Sequence, residues 1–339
     1  MIGPTSRRQF LRASGALALA GSMGHRGVLG SQPAASRAWA RQCKPRPDLL
    51  DSKSPAGIEV IQLTNDPHVP GTHLYMEAQV FTPDSKQFVL HRSATAHGGS
   101  RHDPDHQYFL CHIEDNCALQ PLTEETGATA PSVSPDGKYL YYFVDQTKVG
   151  GGRLILRRVE LDGTHRETVL VLDTPLPGTS YRPSGLYPLS TISSDGKRLA
   201  ISAFLGDGRT EGAPFGLMVF DLVCADVRLI VQGPTWCNMH PQYSRSTAPE
   251  AAHDILVQEN HGCEVSAQGA ITRLVGGAGA DIHVIRDDGT NLRDMPWGRD
   301  GNEQCQGHQC WRGRSDWAIT STGTRKPPGR AVARSLREP

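Results

Sequence analysis

With 36 glycines and 24 prolines in 339 residues, the chain is turn-rich and long enough for one large or two ordinary domains. Its 35 basic and 35 acidic side chains balance to a formal charge of zero. That excludes a whole-molecule field able to draw nucleic acid or an anionic membrane, so a small or locally recognised partner is expected.

Residues 1–40 are expected to be an export segment and linker. Ser6-Arg7-Arg8-Gln9-Phe10-Leu11-Arg12 precedes a mildly apolar run, 13–21, in the order of a twin-arginine signal. The run is too short to span a bilayer, so no transmembrane segment is expected, and the mature protein is placed in the periplasm or outside the cell. Cleavage falls after Ala20 or, at Ala38-Trp39-Ala40, after Ala40. The eight cysteines are scattered without a C-x-x-C pair, which disfavours a thiolate zinc site; some of them are free to pair in an oxidising compartment.

A repeat follows. Phe81-Thr82-Pro83-Asp84-Ser85-Lys86 returns as Val133-Ser134-Pro135-Asp136-Gly137-Lys138 and as Ile192-Ser193-Ser194-Asp195-Gly196-Lys197. Each copy reads as strand, tight turn, strand, and weaker copies start at His240-Pro241-Gln242-Tyr243 and Gly307-His308-Gln309-Cys310-Trp311. Second hairpins lie between them at 108–122, 154–172, 217–231 and 282–295. Four strands per unit, repeated about every 50 residues, predict an all-β chain built as a β-propeller. A β-sandwich does not repeat one turn at a fixed offset.

The pattern predicts blades over 57–322, about four and a half of them. An early strand at 58–63 is of the kind that closes a ring, and it needs a partner from the far end of the chain. Residues 323–339, basic and without alternation, read instead as a disordered or out-of-frame tail, so the array is expected to stop early.

Propeller ligands gather where the innermost strands begin, because loops from every blade converge there. Three polar clusters fall near that end: 238–243, 258–261 and 303–311. They bring His240, His261 and His308 forward as imidazoles able to share one channel mouth.

Taken in order, Gly57-Ile58-Glu59-Val60-Ile61-Gln62-Leu63-Thr64, His240-Pro241-Gln242-Tyr243, Asp288-Gly289-Thr290-Asn291 and Cys305-Gln306-Gly307-His308-Gln309-Cys310-Trp311 resemble the motifs of oligogalacturonate lyases. The resemblance covers about 57–321 and implies a seven-bladed propeller that degrades short pectin fragments by β-elimination. It implies His308 as the base that removes the C5 proton, a divalent cation such as Mn2+ at the C6 carboxylate, and an oligogalacturonate or related uronate substrate. His240, Gln242, His261 and Arg286 are the candidates to hold that substrate.

Two departures stand out. The family's arginine lies in an A-R-x-W strand where this chain has Ala280-Asp281-Ile282-His283, leaving Arg273 or Arg286 as substitutes. The family's metal ligands come from later blades without a counterpart here, so no metal-ligating residue is named and impaired activity is expected. The alternative is a non-catalytic periplasmic propeller serving as a binding or scaffold module. A serine-peptidase propeller is disfavoured, since no G-x-S-x-G elbow occurs.

Overall fold

The computed structural model describes residues 43–64, 71–75, 77–93, 101–103, 105–276, 279–295, 303–305, 307–324 and 330–335. The export segment expected at 1–40 lies outside them. Two short strands, β1 (Lys44–Pro45) and β2 (Ile61–Gln62), pair with each other ahead of the blades.

Five four-stranded antiparallel sheets follow. Blade I holds β3 (Gly71–His73), β4 (Gln87–Arg92), β5 (Gln107–His112) and β6 (Ala118–Pro121). Blade II holds β7 (Ala128–Val133), β8 (Tyr139–Lys148), β9 (Gly151–Glu160) and β10 (Glu167–Leu172). Blade III holds β11 (Gly185–Ile192), β12 (Arg198–Phe204), β13 (Phe215–Asp221) and β14 (Asp226–Gly233). In blade IV, β15 (Gln242–Tyr243) and β16 (Asp254–Asn260) are separated from β19 (Ala280–Arg286) and β20 (Arg293–Asp294) by a small hairpin, β17 (Glu264–Val265) and β18 (Ile271–Arg273). Blade V holds β21 (Glu303–Cys305), β22 (Cys310–Trp311), β23 (Trp317–Thr324) and β24 (Arg330–Ser335). This is the β-propeller read from the repeat.

The repeated turn has a local cause. The Ser134 hydroxyl donates to Asp136 (2.5 Å) and accepts from the Tyr139 amide (2.9 Å), while Asp136 accepts from the Lys138 amide (3.1 Å). Ser193 with Asp195, and Thr82 with Asp84, repeat the arrangement at 2.6 Å each. Gly137 and Gly196 both take φ of 71°, which an L side chain rarely adopts. The motif also stacks the blades, since a Cβ at Gly137 would meet Pro83 of blade I at 2.9 Å.

Alternation puts the core between blades rather than within them. Tyr142 packs with Leu110 and Val89 of blade I, whereas its neighbour Phe143 turns to the opposite face and meets Phe220 of blade III at 5.2 Å. Ala200 and Ile201 divide in the same way between blades IV and II, and Leu256 carries the pattern on to Trp311 and Ala318 of blade V.

Two sequence expectations change. The strand expected at 58–63 is only Ile61–Gln62, and it pairs with 44–45 instead of with a distant segment. Leu63 and Cys43 pack there against Phe88, Leu90 and Phe109, so the segment covers the outer apolar face of blade I. The region read as a tail contains β24, which pairs with β23 from Trp317↔Ser335 to Thr322↔Arg330. Composition missed it because backbone amides and carbonyls on an open edge accept any extended segment, whatever its side chains. Among the described residues no helix is long and apolar enough to cross a membrane.

Candidate functional site at the histidine end of the channel

The innermost strands of blades II and III are interrupted about four residues before their turns. The register of β7 shifts between Thr129 and Ser132, and that of β11 between Leu186 and Ser190. At the matching point Ala130, His240 and His308 have φ of 50°, 48° and 56°. Such a bulge re-aims a side chain out of the sheet, here toward the axis. Blades IV and V thereby present an imidazole each, with ring centroids 6.5 Å apart.

The backbone around this pair is tied down. Gly307 has φ of 78°, and a side chain there would collide with the Gln258 carboxamide. Its carbonyl accepts from the hydroxyls of Thr320 (2.8 Å) and Ser321 (3.0 Å). Gln242 is buried and donates to the Gln309 carbonyl, Gln309 donates to the His240 carbonyl (3.2 Å), and the Trp311 indole donates to the Gln242 carbonyl (2.9 Å). Gln242, a substrate-binding candidate by sequence, is placed as the strut that fixes the spacing of His240 and His308.

His240 is itself held from across the axis. Its Nδ1 lies 2.7 Å from Glu77 of blade I and its Nε2 lies 3.1 Å from the Tyr187 hydroxyl of blade III. The side chains of Glu77 and His240 are 1% and 7% exposed, so this contact is dry. A carboxylate at Nδ1 places the ring proton there and leaves Nε2 to accept from Tyr187. The other Glu77 oxygen is buried and has no hydrogen-bond partner among the described residues. Burial pushes the Tyr187 phenol up, with Tyr75 and Glu77 adding to the effect, so Tyr187 stays a hydrogen-bond donor. Tyr75, 40% exposed, stacks obliquely on His240 at 5.0 Å. His308 is exposed.

The remaining candidates lie elsewhere. His261, at the end of β16, is hydrogen-bonded to Asp281 at 2.9 Å, and no contact joins it to His240 or His308. Arg286 donates to the Glu250 carbonyl (3.1 Å) and lies 3.7 Å from Asp254, while Arg273 pairs with Glu264. Neither supplies a cation to the histidine pair. Glu77, Tyr75 and Tyr187 escaped sequence reading because Glu77 and His240 are 163 positions apart. Counting back from each turn was the available signal, since Glu77 falls five residues before Thr82 and His240 four before Ser244.

A divalent cation such as manganese takes several oxygen or imidazole donors. Among the described residues no three His, Cys, Asp or Glu side chains converge to hold one, and the Glu77 carboxylate is committed through one oxygen to His240. The donor set of the described residues does not fit a metal.

Blade number, inner-strand bulges and an axial polar site define a β-propeller with a channel-end site. Solved structures like it include an oligogalacturonate lyase in complex with manganese, with a TM-score of 0.58 and 20% identity over 83% of this chain and 67% of that one. The oligogalacturonate lyase of Vibrio parahaemolyticus also gives 0.58, with 16% identity over 86% and 68%. No family model and no curated protein matches the sequence. The chain thus shares the fold of oligogalacturonate lyases, in line with the order of its motifs.

Proposed function

We propose that the histidine end of the channel binds short uronate oligosaccharides and cleaves them by β-elimination, with His308 as base. The observation that carries this reading is an exposed imidazole set 6.5 Å from a buried, carboxylate-anchored one at matching positions of adjacent blades. An exposed ring is free to meet substrate, and an anchored ring gives the floor of the site a fixed shape. The fold shared with two lyases and the ordered motifs support the same chemistry.

In that chemistry the C5 proton passes to the His308 imidazole and its electron pair becomes the C4–C5 double bond. The C4–O bond breaks, and the departing oxygen takes a proton from water. Tyr75 offers a half-exposed ring face for a sugar and a hydroxyl that burial and Glu77 keep protonated. The Arg7-Arg8 signal supports placing this activity in the periplasm or outside the cell, where such oligomers are met.

The test is the rise in ultraviolet absorbance as unsaturated product forms from oligogalacturonate. His308→Ala is expected to lower the rate by about 10²–10⁴-fold, the usual worth of a general base, without changing Tm. Calorimetric binding of the oligomer with no product, unaltered by His308→Ala, would instead establish a binding module.

A further inference from the structure

The opposite end of the channel, where the hairpin turns converge, carries a solvent-open cavity of about 290 Å³ to which all five blades contribute. Gln79 and Ser85 come from blade I, Ser134 from II, Ser194 from III, Arg245 and Thr247 from IV, and Arg314 from V. None of Tyr75, Glu77, Tyr187, His240 and His308 lines it. Gln79 stands between the two ends, its amide donating to the Ile192 carbonyl (2.9 Å) and its side-chain oxygen accepting from the Ile192 amide (2.5 Å).

The charge of this cavity is one-sided. No acidic residue lines it, and among the described residues neither Arg245 nor Arg314 has a hydrogen bond or ion pair. Arginines inside the blades are paired, Arg101 with Asp145, Arg157 with Glu125, Arg198 with Asp287 and Arg293 with Asp254, whereas these two face the cavity. Arg245 is open to solvent yet walled by protein, and its partial desolvation pushes its pKa down. The hydroxyls of Ser85 and Thr247 are also without a partner among the described residues. Two uncommitted guanidinium forks with free hydroxyl donors make a recognition set for a planar or tetrahedral oxyanion. The volume is at the small end of ligand pockets.

We infer that this cavity binds a small molecule bearing a carboxylate or phosphate group, held between Arg245 and Arg314. The site is separate from the histidine end and stands whether or not that end is a lyase. Calorimetry at low ionic strength with citrate in one arm and inorganic phosphate in the other separates the two chemistries. At least one is expected to bind at sub-millimolar concentration. Arg245→Gln and Arg314→Gln are each expected to weaken that binding about tenfold or more, through the loss of a charge-assisted hydrogen bond. Arg245→Lys, which keeps the charge and loses the fork, should fall between. With no partner among the described residues to lose, the ligand-free Tm of both glutamine variants should equal that of the parent. Failure of both anions to bind, or binding that survives both substitutions, overturns the inference.

Discussion

Two histidine pairs in this propeller each contain a deeply buried ring, and those two rings behave as opposites. His91 and His106, in blade I, have ring centroids 5.1 Å apart, and His240 and His308 lie 6.5 Å apart at the channel end. His91 and His240 are both 6% exposed. What differs is the neighbour. His240 has a buried carboxylate 2.7 Å from Nδ1, whereas among the described residues His91 meets the Thr72 hydroxyl at 2.9 Å and no carboxylate, and neither nitrogen of His106 has a hydrogen-bond partner. Burial alone makes a histidine inert; a buried acid beside it makes an oriented ring.

Acid should break the comparison first and with the largest effect. Burial pushes His91 down to about 4, with His106 and His73 adding to it, and burial also lowers His106. The folded state therefore keeps these rings neutral, while the unfolded chain takes up protons below about 6.5. Stability is fully present above that pH and falls as the pH drops toward 4, by a loss on the order of 3 kcal/mol from His91 alone. Urea midpoints at pH 7 and pH 4.5 read this loss directly. His91→Phe should flatten the pH dependence; an unchanged slope would show that the ring is charged inside the fold.

The two pairs also differ in how far the sequence revealed them. The blades were legible because their turns are local: Ser134, Asp136 and Gly137 close one within four residues, and the motif repeats. His240 and His308 were legible through their place ahead of those turns. Glu77 was not, since its contact with His240 is made by ring geometry across 163 positions. Gln242 looked functional because polar residues on an inner strand usually face the channel, and only the structure shows it spent on the Gln309 backbone. β24 was missed for the reverse reason, that edge pairing is a backbone property which side-chain patterns do not report.

Removing the acid is the next test in size. Glu77→Ala leaves the His240 Nδ1 hydrogen buried without an acceptor, at a cost of about 1–3 kcal/mol. If the anchored ring shapes the floor of the site, turnover should fall as well, with the loss in kcat larger than the change in KM. His91→Phe should leave both unchanged. Equal effects of the two substitutions on turnover would remove the distinction drawn between the pairs.

The smallest effects come from the hydroxyl that each ring meets at Nε2. Tyr187→Phe removes one hydrogen bond of 3.1 Å, Thr72→Val removes the 2.9 Å bond to His91 and an exposed 3.0 Å bond to the His73 carbonyl, and each should cost on the order of 1 kcal/mol in chemical denaturation. The informative quantity is the coupling with the acid. Glu77 and Tyr187 bind opposite nitrogens of one imidazole, so the carboxylate that fixes the proton on Nδ1 also makes Nε2 an acceptor for the phenol. Their double-mutant cycle should therefore depart from additivity by at least about 0.5 kcal/mol, the usual mark of residues sharing a partner. Additive costs would mean that packing alone holds the ring, with Tyr75 and Tyr187 as its walls at 5.0 and 5.4 Å. In that case Glu77 would matter only as a buried acid to be satisfied, and the orientation of His240 would survive its loss.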